Sequence, residues 1–109
     1  MNQPLTWVHK PFKDLTPAEL YEALALRQEV FVVEQNCPYL DTDGKDFYST
    51  HLLGYTDKKI LAVYARIVPP GISFKEVSIG RVVSKPKFRK SGFGKQLMTE
   101  SIKKIKEKS

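Results

Sequence analysis

Five cations surround two glycines in one short stretch, Lys85-Pro-Lys-Phe-Arg-Lys-Ser-Gly-Phe-Gly94 followed by Lys95: they are Lys85, Lys87, Arg89, Lys90 and Lys95, and the glycines are Gly92 and Gly94. The strand-like run Val77-Ser-Ile-Gly-Arg-Val-Val-Ser84 precedes this stretch, and Phe93, Leu97, Met98, Ile102 and Ile105 follow at helical spacing. A strand, a glycine loop and a helix start in that order bring backbone N–H groups together at the positive end of a helix dipole. A phosphate-rich ligand is the natural occupant. Two familiar phosphate loops fail by spacing. The dinucleotide fingerprint G-x-G-x-x-G needs a third glycine where Leu97 stands. The nucleoside-triphosphate loop needs a glycine at the place of Arg89 and a Ser or Thr at that of Gln96.

What remains is Arg89-Lys90-Ser91-Gly92-Phe93-Gly94, an R-x-x-G-x-G between strand and helix. It resembles the acyl-CoA pyrophosphate loop of the GNAT superfamily of N-acetyltransferases. Upstream, Arg27-Gln-Glu-Val-Phe-Val-Val-Glu-Gln-Asn-Cys-Pro-Tyr39 and Asp41-Thr-Asp-Gly44 are similar to the ElaA-like branch of that superfamily, so the resemblance covers most of residues 16–98. It implies a three-layer α/β fold with a mixed, mainly antiparallel sheet flanked by helices. It also implies acetyl-CoA as cosubstrate and direct acetyl transfer to a primary amine of a small molecule or peptide, without a covalent enzyme intermediate. On this reading the strand edge at Val82 and Val83 pairs with the pantetheine arm. The N–H groups of Gly92, Phe93, Gly94 and Lys95 hold the pyrophosphate, with Arg89, Lys90 and Ser91 in the same loop.

Gly92 is required because a side chain there would keep phosphate from the backbone, and Gly94 because the turn enters the helix at close range. Arg89 offers a planar donor fork to phosphate oxygens. An alkyl amine, with a reference pKa of about 10.4, must lose a proton before it attacks. Many relatives carry a strand glutamate for this task, but Ser78, Arg81 and Ser84 offer no carboxylate here. Glu34 is the candidate base, beside an acidic loop whose Asp41 and Asp43 would draw a cationic amine; a surface glutamate at a helix end is its plain alternative. Cys37 has no histidine near it in sequence and reads as a loop thiol, and His51 as a strand-end residue. Two histidines and one cysteine at wide spacing supply no metal set. Tyr39, Phe47, Tyr48, Tyr55 and Tyr64 could line an amine or acyl pocket, but aromatic residues in strands and loops usually serve core and sheet packing.

These groups must be positioned by a small domain. The 109 residues, 41% hydrophobic and 28% charged, suit one globular unit over 1–109 with no apolar run long enough to span a membrane. The first residues lack the layout of a secretory signal and a single cysteine makes no internal disulfide, so the cytoplasm is the expected compartment. The net charge of +6 is concentrated in the second half, where Lys103, Lys104, Lys106 and Lys108 read as a solvated helix face. A nucleic-acid surface would need more interleaved aromatics than Phe88 and Phe93, so no specific nucleic-acid partner is expected. Leu5–Lys10 reads as a strand, and Thr16-Pro-Ala-Glu19 as a capped helix start with Leu20, Ala23, Leu24, Val30 and Phe31 on one face. Residues 36–49 form a loop, and 51–56 and 60–68 a hairpin turning at Asp57-Lys-Lys59.

Relatives continue past this last helix into another strand, a helix and closing strands, whereas the sequence stops at Lys106-Glu-Lys-Ser109. The expectation is a domain incomplete at its C-terminal side. Its last strand would then present an unpaired edge, covered by further residues or by another copy in a homo-oligomer. A non-catalytic acyl-CoA or nucleotide-binding module is the alternative function.

Overall fold

The computed structural model describes residues 4–107. Four strands, β1 (Thr6–Pro11), β2 (Thr50–Tyr55), β3 (Leu61–Val68) and β4 (Ser78–Ser84), form one sheet in the order β1-β2-β3-β4 with every neighbouring pair antiparallel. Helix α1 (Pro17–Gln28) covers one face and helix α2 (Phe93–Glu107) the other. The three layers follow from the period of two along each strand. Leu53, Tyr64 and Val83 point to α1, where they meet Ala23, Leu26 and Val30. Leu52, Val63 and Ala65 point to α2 and pack on Phe93 and Leu97. All eight residues of β3 are buried, as its nearly unbroken apolar run requires of a strand covered on both faces.

Helix α1 starts where its sequence says it should. The Thr16 hydroxyl accepts from the Glu19 N–H at 3.1 Å, and the Glu19 carboxylate accepts from the Thr16 N–H at 2.9 Å, closing the capping box. Its buried face differs from the expected one: Ala23, Leu26, Arg27 and Val30 are buried, while Leu20, Leu24 and Phe31 are half-buried. An arginine at the centre of this face finds carboxylates waiting for it, described below. Past Gln28 the chain widens into i→i+5 turns over Glu29–Glu34, with Gln35 N–H donating to Val30 O at 3.3 Å and Cys37 N–H to Val32 O at 3.1 Å.

The apolar stripe of α2 is wider than the surface it covers. Phe93, Leu97 and Ser101 are buried, but Met98 and Ile102 are exposed. Lys103 and Lys106 face solvent and Lys104 pairs with Glu100 at 3.5 Å, while Lys108 lies outside the described residues. Among the described residues β4 has a neighbour on the β3 side only.

Candidate active site

The ladder between β3 and β4 runs one step past the strand, with Lys85 N–H donating to Ala62 O at 2.7 Å. The chain then coils through a 3₁₀ segment, Pro86–Ser91, in which Phe88 N–H donates to Lys85 O at 2.9 Å and the Ser91 hydroxyl donates to Phe88 O. Gly92 follows at φ +84°, in the left-handed region that strains any L side chain. Its carbonyl accepts from Gln96 N–H at 3.2 Å, which makes Gly92 the cap of α2. The N–H groups at the head of α2 therefore have no acceptor inside the helix. Gly94 is held less tightly than expected: a Cβ there would lie 3.5 Å from Ser84 Oγ, an ordinary contact. The protein itself has room for alanine at 94, so only a ligand's approach can demand glycine there.

The structure brings Glu34 and Arg89 together, though not as acid–base chemistry would need. The Arg89 guanidinium donates to both Glu34 oxygens, at 2.8 and 2.6 Å, in an exposed fork. That hydrogen bonding holds the Glu34 carboxyl below its usual range and so weakens it as a base. Glu29 likewise accepts from Lys85 at 3.2 Å. In an α-helix residues five apart would diverge by about 140°. The i→i+5 winding of this segment instead lets Glu29 and Glu34 both face the loop. Lys90 and Lys95 are exposed, and Lys87 sits 5.1 Å from the Phe88 ring centroid.

Leading into the loop, Val83 is 3% exposed against α1 and Val82 is 40% exposed. Sequence reasoning missed what lies beneath. Asp41 and Asp43 do not face an incoming amine; with Asp46 they are matched by Arg27, Arg66 and Arg81. Arg27 donates to Asp41 Oδ2 at 2.8 Å and to Asp46 Oδ1 at 2.8 Å. Arg66 donates to Asp43 at 2.8 and 3.0 Å and to Asp46 at 3.1 Å. Arg81 donates to Asp41 Oδ1 at 2.9 Å and to Asp43 Oδ2 at 3.3 Å. The Arg66 hydrogen bonds hold the Asp43 carboxyl well below the ordinary carboxylate range. The loop's negative charge is thus spent inside the fold. A signal was present: Arg27 and Arg66 each interrupt an apolar pattern, with three aspartates in one loop between them.

His51 belongs to the same interior, only 1% exposed. Its Nδ1 lies 2.6 Å from the Tyr64 hydroxyl, which also accepts from Arg27 at 3.5 Å, and its Nε2 lies 3.0 Å from Asp46 O. Since a carbonyl only accepts, the proton belongs on Nε2 and Tyr64 donates to Nδ1. Burial pushes the His51 pKa down, so the ring stays neutral and structural. Among the aromatic candidates, Tyr64 is core, Tyr55 donates to Glu22 at 2.9 Å, Tyr39 to Asp41 at 3.1 Å, and Phe47 packs edge-on against Phe12. Phe93 is buried, and Phe88 is half-buried against the α2-side core. No cluster of metal-ligating side chains occurs among the described residues, and no helix there is long and apolar enough to cross a membrane. A cavity of about 350 Å³ lined by His9, Ile67, Val77 and Ile105 lies at the far end of α2, away from the loop.

No protein-family model matches the chain. Individual proteins do. The UPF0039 protein sll0451 of Synechocystis is 43% identical over 100 residues, 92% of this chain and 65% of that protein. Protein ElaA of Escherichia coli is 39% identical over 100 residues, 90% of this chain and 65% of that protein, and its crystal structure superposes with a TM-score of 0.85. The crystal structure of an acyl-CoA N-acyltransferase from Pseudomonas aeruginosa matches at 43% identity and a TM-score of 0.89, over 94% of this chain and 70% of that one. A sheet with α1 on one face and α2 on the other, joined at β4 by a basic glycine loop, is thus the acyl-CoA N-acyltransferase fold. Within that class the chain belongs to the ElaA-like branch of the GNAT superfamily. It spans about two thirds of the length of these relatives.

Proposed function

We propose that this chain binds acetyl-CoA through the β4 edge and the loop at 85–95, and transfers the acetyl group to a primary amine of a small molecule or peptide. The head of α2 carries the proposal. Its N–H groups at Gly92, Phe93, Gly94 and Lys95 lack helical acceptors. They lie beside Arg89 and Lys90 and next to the end of β4, which among the described residues pairs on its β3 side only. Pyrophosphate satisfies those donors, and the pantetheine arm extends along Val82–Val83 as an added strand. The amine nitrogen attacks the thioester carbonyl, the C–N bond forms as the C–S bond breaks, and the departing sulfur takes up a proton released by the amine. Much of the rate advantage comes from holding the two reactants in line.

Calorimetric titration with acetyl-CoA and thiol release against a panel of amines test this reading. Saturable binding with amine-dependent thiol release is expected. Binding with no release from any amine would favour a non-catalytic acyl-CoA-binding module, a reading supported by the ion pairing of both Glu29 and Glu34 with loop cations.

Glu34 takes a different part from the one its position in sequence suggests. As the counter-ion of Arg89 it competes with donor phosphate for the same guanidinium fork. Glu34→Gln is therefore expected to bind acetyl-CoA a few-fold more tightly, with the difference fading at high salt, and to keep its turnover. A fall in kcat at saturating donor, with affinity unchanged, would return Glu34 to the role of base.

A further inference from the structure

We propose that Arg81, clamped by Asp41 and Asp43, is a positioning residue for the pantetheine arm of the donor: it fixes the bulge that aims the β4 edge. The inference rests on the donor reading above. Tyr64 pairs with Val83 and Arg66 with Gly80, so Ala65 alone on β3 faces both Arg81 and Val82 on β4. This is a β-bulge, which bends the strand and re-aims the residues after it. Those residues are Val82 and Val83, just ahead of the phosphate loop.

The bulge sits on an unexpected residue. Arg81 has φ +52°, a left-handed backbone that is costly for a side chain and free for glycine. Glycine stands one position away, at Gly80, where φ is not positive and a Cβ would meet nothing within 4 Å. Backbone ease alone would exchange the two. The strain at 81 is offset by what the side chain does. Arg81 Nε donates to Asp41 Oδ1 at 2.9 Å, and its terminal nitrogen donates to Asp41 O at 2.9 Å and Asp43 Oδ2 at 3.3 Å. Its guanidinium also lies 5.9 Å from the Tyr39 ring centroid. Asp41 is 4% exposed and anchored from the other side by Arg27. The acidic loop is therefore a fixed post, and Arg81 ties the bulge to it. A strand edge whose bend is set before the ligand arrives loses no ordering entropy when an extended arm pairs with it.

The test compares two probes on two variants. Acetyl-CoA carries the arm; 3′-phospho-ADP carries the pyrophosphate and no arm. Arg81→Gly frees the clamp while keeping a residue at ease in the left-handed region, and Arg81→Lys keeps the charge but loses the planar fork. Both are expected to weaken acetyl-CoA binding, Arg81→Gly by about tenfold, while 3′-phospho-ADP binds within twofold of the wild type. Hydrogen exchange should quicken at 81–83 and leave β2 unchanged, which shows that the sheet is intact. Equal loss for both probes, or none for either, overturns the positioning role. If the wild type binds neither probe, the donor reading falls and this inference with it.

Discussion

On the proposed donor reading, Gly92→Glu is expected to weaken acetyl-CoA binding by more than a hundredfold, while Gly92→Ala keeps a measurable part of it. Two effects separate the variants. Gly92 holds φ +84°, so any side chain there meets backbone strain of about 1–2 kcal/mol, which both variants share. Only glutamate adds a negative charge beside the donors that the proposal assigns to pyrophosphate. Loss of several charge-assisted hydrogen bonds, each worth about 1.5–3 kcal/mol, predicts a drop in affinity beyond a hundredfold. Calorimetry reads the affinity, and the thermal midpoints of the two variants, expected to agree within a few degrees, show that folding is not the cause. Equal binding by Gly92→Glu and the wild type would remove the loop from the donor site. Gly94→Ala sharpens the contrast, because the protein has room for its methyl group and any lost affinity must come from the ligand's side.

The loop and its flanking elements were legible because their signals are local. A capping box needs only Thr16 and Glu19 three residues apart, and a glycine turn needs only glycines between a strand and a helix. The chain meets both. The interior charges were illegible for the opposite reason. Arg27, Asp46 and Arg66 lie 19 and 20 residues apart in sequence, and only the packing of α1 and β3 against the loop makes them neighbours. Read one at a time, Arg27 spoils an apolar helix face and Asp41 and Asp43 advertise a cation site. Read together, three positive and three negative groups cancel. The pairing of Glu34 with Arg89 was hidden by winding. Counting at 3.6 residues per turn puts Glu29 and Glu34 on different sides, and the i→i+5 turns put them on one.

These particulars give the acidic loop a different use from the one its composition advertises. An uncompensated Asp41 and Asp43 would attract an amine, but they would also leave Arg81 untied and the β4 bend unspecified. The fold commits the carboxylates to geometry. On the proposed function, what attracts the acceptor must then come from elsewhere, and the donor would meet the backbone groups and cations of the loop at 85–95.

Arg27→Ala should be the most destabilising single substitution in this network. It leaves Asp41 and Asp46 buried with part of their compensation gone, and breaking one side of a buried ion pair costs about 3–5 kcal/mol. A domain of this size has roughly 5–15 kcal/mol in all. Urea unfolding at neutral pH should show the loss as a lower midpoint with little change of slope. The pH dependence identifies its origin. Burial pushes the Asp46 carboxyl up, but the hydrogen bonds and charges of Arg27 and then Arg66 outweigh it and hold the folded-state value below the ordinary one. A depressed carboxyl stabilises the fold above its unfolded pKa of about 3.9 and loses that contribution as pH falls toward its folded value. Without Arg27 burial gains weight and the folded-state value rises, so the variant loses less on acidification. The gap in stability between wild type and Arg27→Ala is therefore widest near neutrality and narrows below about pH 4. A gap that stays constant with pH would mean that Arg27 acts through packing alone, and the charge network would have no claim on the stability of this fold.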